Sequence, residues 1–254
     1  MPDMRSRSFA RPALAAASLV LVLGLAGCGE EDPESDARDD TSSSEASEST
    51  ETSGSPTETA TVTEAGAADG SCEYVPDGTD AGMELPPADP TTSGEVGVTI
   101  ESTIGEFHLT LDGDRTPCTT NSFASLVEQG FYDDTTCHRM TVSQGFEVLQ
   151  CGDPTGTGSG GPGYTIPAEF DGSETYPAGT LAMARAADPN SGGSQFFICY
   201  GETLLSPEYT VFGTVDQATI DAIATAAEAG VTPQMGPEDG TPNTEITFET
   251  ATLD

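Results

Sequence analysis

From about Val96 onward the chain is cut into short apolar runs, nearly all of strand length and most closed by turn residues. Apolar residues alternate at Val98 and Ile100, and again at Phe107, Leu109 and Leu111, with Gly105 between the two runs. This is the pattern of a hairpin with one buried face. Further β-like runs fall at about 137–141, 147–151, 180–184, 195–200, 210–215 and 245–251, which makes eight strands. Only two segments read as helices. One is 119–129, with Thr119 or Thr120 as N-cap, Phe123, Leu126 and Val127 on one face, and Gly130 as stop. The other is 217–229, with Asp216 as cap, Ile220, Ile223, Ala224 and Ala227 facing inward, and Gly230 as stop. Such a list predicts a mainly β fold with a sheet closed on itself and its ends covered, although pattern alone leaves a sandwich open.

Several blocks in this span carry chemistry. Gly130-Phe131-Tyr132-Asp133 leads into Cys137-His138-Arg139. Gln150-Cys151-Gly152-Asp153-Pro154-Thr155-Gly156-Thr157-Gly158 runs on to Gly160-Gly161-Pro162-Gly163-Tyr164. Leu181-Ala182-Met183-Ala184, Gly193-Ser194-Gln195-Phe196-Phe197-Ile198 and Val211-Phe212-Gly213 follow. In content, order and spacing these blocks resemble the cyclophilin family of peptidyl-prolyl cis-trans isomerases, over roughly residues 96–253. The resemblance implies a closed eight-stranded antiparallel barrel capped by two α-helices. It implies an enzyme that needs no cofactor and acts on proline-containing polypeptides; no metal site is expected, since the Cys and His residues lack paired C-x-x-C spacing, and a monomer is expected.

The resemblance also implies the site. Arg139 would face the substrate proline, and Gln150 and Gln195 would orient the substrate backbone. Val148 and Phe197 would line the proline pocket, Leu205 and Tyr209 would close its far side, and His138 and Ala184 would flank it. One position departs from the family pattern: Glu147 stands where a phenylalanine is usual, three residues before Gln150, and Phe146 lies one place earlier. Either a one-residue slip puts Phe146 in the pocket, or the pocket wall carries a carboxylate. The second case keeps a rival reading alive, a module that docks proline segments with little turnover.

The chemistry fits these residue types. Amide resonance opposes rotation about a peptide bond with a barrier of about 18–20 kcal/mol. In the twisted state the nitrogen loses conjugation, and a guanidinium placed against that nitrogen or its carbonyl favours the twist. No nucleophile or general base is required. Other chemistries are poorly supported. Gly156-Thr157-Gly158-Ser159-Gly160-Gly161 matches GxGxxG formally, but Pro162 and Gly163 forbid the helix a dinucleotide site needs.

The N-terminus carries a separate message. Arg5, Arg7 and Arg11 precede an apolar run from about Ala13 to Ala26, too short to span a bilayer easily and ordered like a secretory signal. Leu25-Ala26-Gly27-Cys28 resembles the bacterial lipobox, so residues 1–27 are expected to be a lipoprotein signal peptide and Cys28 the site of lipid attachment. That places the protein outside the cell membrane, anchored to its outer face. Residues 29–70 hold 13 acids, one base and almost no large apolar side chain, the composition of a disordered acidic tether (28–70). Residues 71–95 read as an irregular extension packing on the 96–254 domain.

The chain has 43 acidic residues against 7 basic ones, a net charge of −36. Every base is an arginine, so the surface repels nucleic acid rather than binding it. Besides Cys28 there are five cysteines, an odd number. Cys72 and Cys118 are the preferred bridge, because both lie outside the expected strands and could pin the extension to the domain. A second bridge among Cys137, Cys151 and Cys199 stays open.

Overall fold

The computed structural model describes residues 70–254. The signal peptide, Cys28 and all but the last residue of the tether lie outside the described residues. Within them the chain is mainly β with two helices. The strands are β1 (Val75–Pro76), β2 (Glu95–Ser102), β3 (Gly105–Asp112), β4 (Thr135–Thr136), β5 (Arg139–Thr141), β6 (Val148–Cys151) and β7 (Tyr164–Thr165). They continue with β8 (Thr180–Met183), β9 (Phe196–Cys199), β10 (Val211–Val215), β11 (Val231–Gly236), β12 (Asp239–Pro242) and β13 (Thr247–Leu253). The helices are α1 (Pro117–Glu128) and α2 (Gln217–Ala227).

Eleven strands form one antiparallel sheet in the order β11-β12-β5-β6-β9-β8-β10-β3-β2-β13-β4, and β1 pairs with β7 in a small second sheet. The expected closed eight-stranded barrel is therefore corrected to an open sheet of eleven strands. The reason lies at Cys137 and His138. The single strand expected over 137–141 would have to ladder to both neighbours to complete a ring. Instead the chain splits there into β4, which pairs with β13, and β5, which pairs with β6 and β12. Between them the Cys137 amide donates to the Ile246 carbonyl at 2.9 Å and continues no ladder. Only two residues separate β4, one edge of the sheet, from β5, so that edge stays within about 11 Å of the third strand from the other edge.

The hairpin β11–β12 was not expected. Pro233, Gly236, Gly240 and Pro242 conceal it, since prolines and glycines normally argue against strands. Pro233 is tolerated because β11 is the sheet's outer edge, where a missing N–H costs no ladder bond.

Helix α1 begins earlier than expected. Pro117 opens it with a φ already suited to a helix, and Thr116 is its N-cap without a side-chain capping bond, its hydroxyl donating instead to the Asp112 carbonyl at 2.9 Å, so neither Thr119 nor Thr120 is the cap. In α2 the Asp216 side chain accepts from the Thr219 amide at 2.8 Å, as a cap should. Ile223, Thr219 and Ala226 are buried there, Ile220 and Ala227 are partly buried, and Ala224 is exposed rather than inward. Gly130 and Gly230 follow the two helices at φ +67° and +73°, a conformation that ends a helix cheaply only at glycine.

The main core gathers Val98, Ile100, Phe107, Leu109 and Leu111 from the first hairpin with Phe123 and Leu126 from α1 and Phe196, Phe212 and Phe248 from later strands. A second, smaller cluster of Val148, Tyr176, Ala182, Phe197 and Cys199 lies on the other face of β6, β8 and β9. Both faces of these strands are apolar, which is why β8 and β9 read as continuous buried runs rather than alternating ones. Cys72 bridges to Cys118 with Cα atoms 5.3 Å apart, and Cys137 bridges to Cys151, leaving Cys199 as a buried thiol. Among the described residues no helix is long and apolar enough to cross a membrane.

Candidate active site

Register builds the site. Arg139 of β5 lies opposite Gln150 of β6, Gln150 lies opposite Phe197 of β9, and Phe197 lies opposite Ala182 of β8. Residues in one cross-strand row project to the same face. Val148, two places before Gln150, joins that face, whereas Leu149 and Cys151 point into the main core. The turn between β5 and β6 is held from inside. The Thr141 hydroxyl donates to the Phe146 carbonyl at 2.6 Å and accepts from the Val148 amide at 3.0 Å, and the Tyr200 hydroxyl donates to the Thr141 carbonyl at 2.6 Å.

A cavity of about 440 Å³ opens on this face. It is lined by His138, Arg139, Phe146, Val148, Gln150, Ala184, Phe197, Leu205 and Tyr209. Gln195 stands in an adjoining cavity and reaches the first through Gln150, whose Nε2 donates to Gln195 Oε1 at 3.0 Å. All ten residues singled out from the sequence therefore meet in one place. The floor is apolar and aromatic: the Tyr209 ring stands edge-on to Phe197 at 5.4 Å, and Tyr176 braces both from behind. Phe146 lies beneath the Arg139 guanidinium, 5.5 Å from its ring centre. Glu147 turns the other way, against Gly201, where the missing side chain leaves room for it. Phe146 lines the cavity, and the Glu147 carboxylate is not part of that lining.

Arg139 is held on two sides. Its Nε and Nη2 donate to the two carboxylate oxygens of Asp239, each at 2.8 Å. Its Nη1 donates to Gln150 Oε1 at 3.1 Å. Gln195 Nε2 extends the chain to the Gly160 carbonyl at 2.9 Å, tying the glycine-rich loop to the site. A guanidinium has five N–H donors, and three are used here, so two remain without a partner among the described residues. Hydrogen bonding to Asp239 raises the Arg139 pKa further, against the effect of burial, so the group stays charged.

His138 is different. Neither ring nitrogen is exposed or hydrogen-bonded, and burial pushes its pKa below the ordinary histidine value. A neutral ring suits a flanking contact. The Cys199 thiol is pushed up to about 12 by burial and stays protonated, which removes it as a nucleophile. Asp153 organises the glycine-rich loop by accepting from the Thr155 amide and hydroxyl and from the Gly158 and Ser159 amides, at 2.5–3.0 Å.

Sequence reasoning missed Asp239, Gln234, Met235 and Arg185, which also line the cavity. The first three sit on the β11–β12 hairpin, so missing those strands meant missing the residues they deliver. Arg185 follows Ala184 directly, and its place beside a named site residue was the available signal.

The chain is similar to known proteins over much of the described span. The sequence model for the cyclophilin type peptidyl-prolyl cis-trans isomerase/CLD family matches residues 96–250. A probable peptidyl-prolyl cis-trans isomerase B of Mycobacterium tuberculosis is 45% identical over 180 residues, covering 65% of this chain and 56% of the relative. Its Mycobacterium leprae counterpart is 41% identical over 203 residues, covering 72% of this chain and 67% of the relative. The chain thus spans little more than half the length of the M. tuberculosis relative. A crystal structure of a Cryptosporidium parvum cyclophilin type isomerase superposes with a TM-score of 0.54 at 30% identity, covering 63% of this chain and 98% of that one.

Proposed function

The chain belongs to the cyclophilin-type peptidyl-prolyl cis-trans isomerase family, and from that premise we propose that it catalyses rotation about X-Pro bonds in exported polypeptides. The observation that carries this reading is the bidentate anchoring of Arg139. Asp239 and Gln150 fix the guanidinium at the edge of an apolar cavity with two N–H groups to spare. A proline ring seated on Phe197, Val148 and Leu205 puts the prolyl amide beside those N–H groups. They donate to the nitrogen or the preceding carbonyl as conjugation is lost, so the charged donor favours the twisted state over either planar one. Gln150 and Gln195 hold the flanking backbone still, so the twist is confined to one bond. No proton leaves or arrives, which is consistent with a neutral His138 and a protonated Cys199.

Export is part of the same proposal. Residues 1–27 act as a signal and Cys28 carries acyl chains at the outer membrane face. Two disulfides support this, since such bridges persist in oxidising compartments. The rival reading, a proline-binding module with little turnover, loses its motive because Glu147 lies away from the cavity. Refolding of a proline-limited protein separates the two. The full chain at one-twentieth of the client concentration speeds the slow phase if it is a catalyst. A rate unchanged until the chain is equimolar would favour the module.

A further inference from the structure

The β11–β12 hairpin is fixed against β5. Asp239 pairs with Thr141 and Gly240 with Met140, and the Val142 amide donates to the Glu238 carbonyl at 2.9 Å. The Asp239 carboxylate then ties the same hairpin to the Arg139 guanidinium. Within the hairpin the two strands approach closely: a Cβ at Gly240 would run into the Thr232 carbonyl, so only glycine fits there. The hairpin is thus a fixed wall, held in register with the arginine.

That wall is bulged where it meets the cavity. Pro233 pairs with Gly240 and Gly236 pairs with Asp239, so Gln234 and Met235 have no counterpart on β12. A bulge re-aims the side chains it carries, and both bulged residues line the cavity that holds Arg139, Phe146 and Phe197. Gln234 is tied back to the hairpin, its Nε2 donating to the Thr241 hydroxyl at 2.6 Å. Met235 is not: it stands 75% exposed. Four large apolar side chains are exposed among the described residues, Val75, Leu85, Leu204 and Met235, and of these only Met235 lines this cavity. A single exposed apolar residue elsewhere on a surface needs no explanation. Met235 differs because a bulge on a fixed wall sets it at the mouth of an apolar cavity, beside the charged donor.

We propose that Met235 is a specificity-determining residue that packs on an apolar side chain flanking the substrate proline, on the arm of the substrate that passes Arg139 toward β12. The proposal rests on the isomerase reading. Methionine suits the task, because an unbranched side chain with three rotatable bonds and a polarisable sulfur adapts to leucine and phenylalanine alike. The contact removes apolar surface from water on both partners. Being only half enclosed, it is worth about three- to tenfold in kcat/KM over a small residue at the same position.

The test uses the full chain and proline peptides carrying leucine, phenylalanine or alanine in turn at each of the two positions on either side of the proline. Isomerisation is followed by NMR exchange spectroscopy, which needs no coupling protease with its own preference for these residues. At one position the leucine and phenylalanine peptides are expected to exceed the alanine peptide several-fold in kcat/KM. In Met235→Ser that ratio falls toward one, and in Met235→Leu it is kept. In Leu85→Ser, which removes an exposed apolar side chain outside the cavity, the ratio also persists. A wild-type ratio near one at every position, or a ratio that Met235→Ser leaves intact, would overturn the proposal. So would equal loss in Met235→Ser and Leu85→Ser. No turnover of any peptide would defeat the isomerase reading instead. Met235 would then be judged by whether the leucine peptide binds more tightly than the alanine peptide in wild type and equally in Met235→Ser.

Discussion

At the scale of single residues, the feature that distinguishes this site is the carboxylate behind the arginine. Asp239 takes two of the five guanidinium N–H groups and so fixes its plane and its direction. Removing it should leave the charge of Arg139 but not its aim. Asp239→Ala is expected to lower kcat/KM about tenfold, the equivalent of roughly one charge-assisted hydrogen bond, with most of the loss in kcat. Asp239→Asn should recover part of it, and steady-state kinetics on one neutral peptide decide the matter. Asp153 makes a prediction about pH. Burial pulls its pKa up, but hydrogen bonds from Thr155, Gly160 and Gly158 outweigh that and hold it at about 2, below the ordinary 3.8. A carboxyl depressed on folding adds stability that is complete above its unfolded pKa and disappears as pH falls through the folded one. Wild type should therefore lose stability more steeply than Asp153→Asn between about pH 4 and 2, as read by urea unfolding at several pH values.

At the scale of elements, one hairpin carries most of the site. The Cys137–Cys151 bridge spans 14 residues and encloses His138, Arg139, Phe146, Val148 and Gln150 in a covalent ring. Closing a loop of this size removes unfolded-state entropy worth about 3 kcal/mol. Cys137→Ala/Cys151→Ala should lower the unfolding free energy by about that amount and broaden the Arg139 Nε–H resonance at temperatures where the protein stays folded. An unchanged, sharp resonance would show that the ladder and the Thr141 bonds suffice alone. The hairpin also shows what a sequence can and cannot disclose. Alternation marked β2 and β3 because one face is buried and the other wet. Arg139, Gln150, Gln195 and Phe197 could be named because they sit inside motifs with fixed local order. Asp239 could not, since its role depends on β12 pairing with β5, a contact 100 residues distant in sequence and made by strands rich in proline and glycine.

At the scale of the whole molecule, the sheet curls far enough to bring its β4 edge back beside β5 without a ladder between them. The family resemblance implied closure and the sequence shows a single run over 137–141, whereas the break at Cys137–His138 is a matter of tertiary pairing. The core and the candidate site thus share the strands β6, β8 and β9, with one apolar face in the core and the other lining the cavity. The central claim is that this second face is a catalyst with Arg139 as its charged donor. A protease-coupled isomerisation assay on a short neutral X-Pro peptide, with wild type beside Arg139→Ala, tests it most directly. The account predicts rapid wild-type turnover and a loss of about 10²-fold or more in kcat/KM for the variant, the usual cost of one transition-state donor, with unfolding midpoints little changed. Equal turnover by two folded proteins would contradict it.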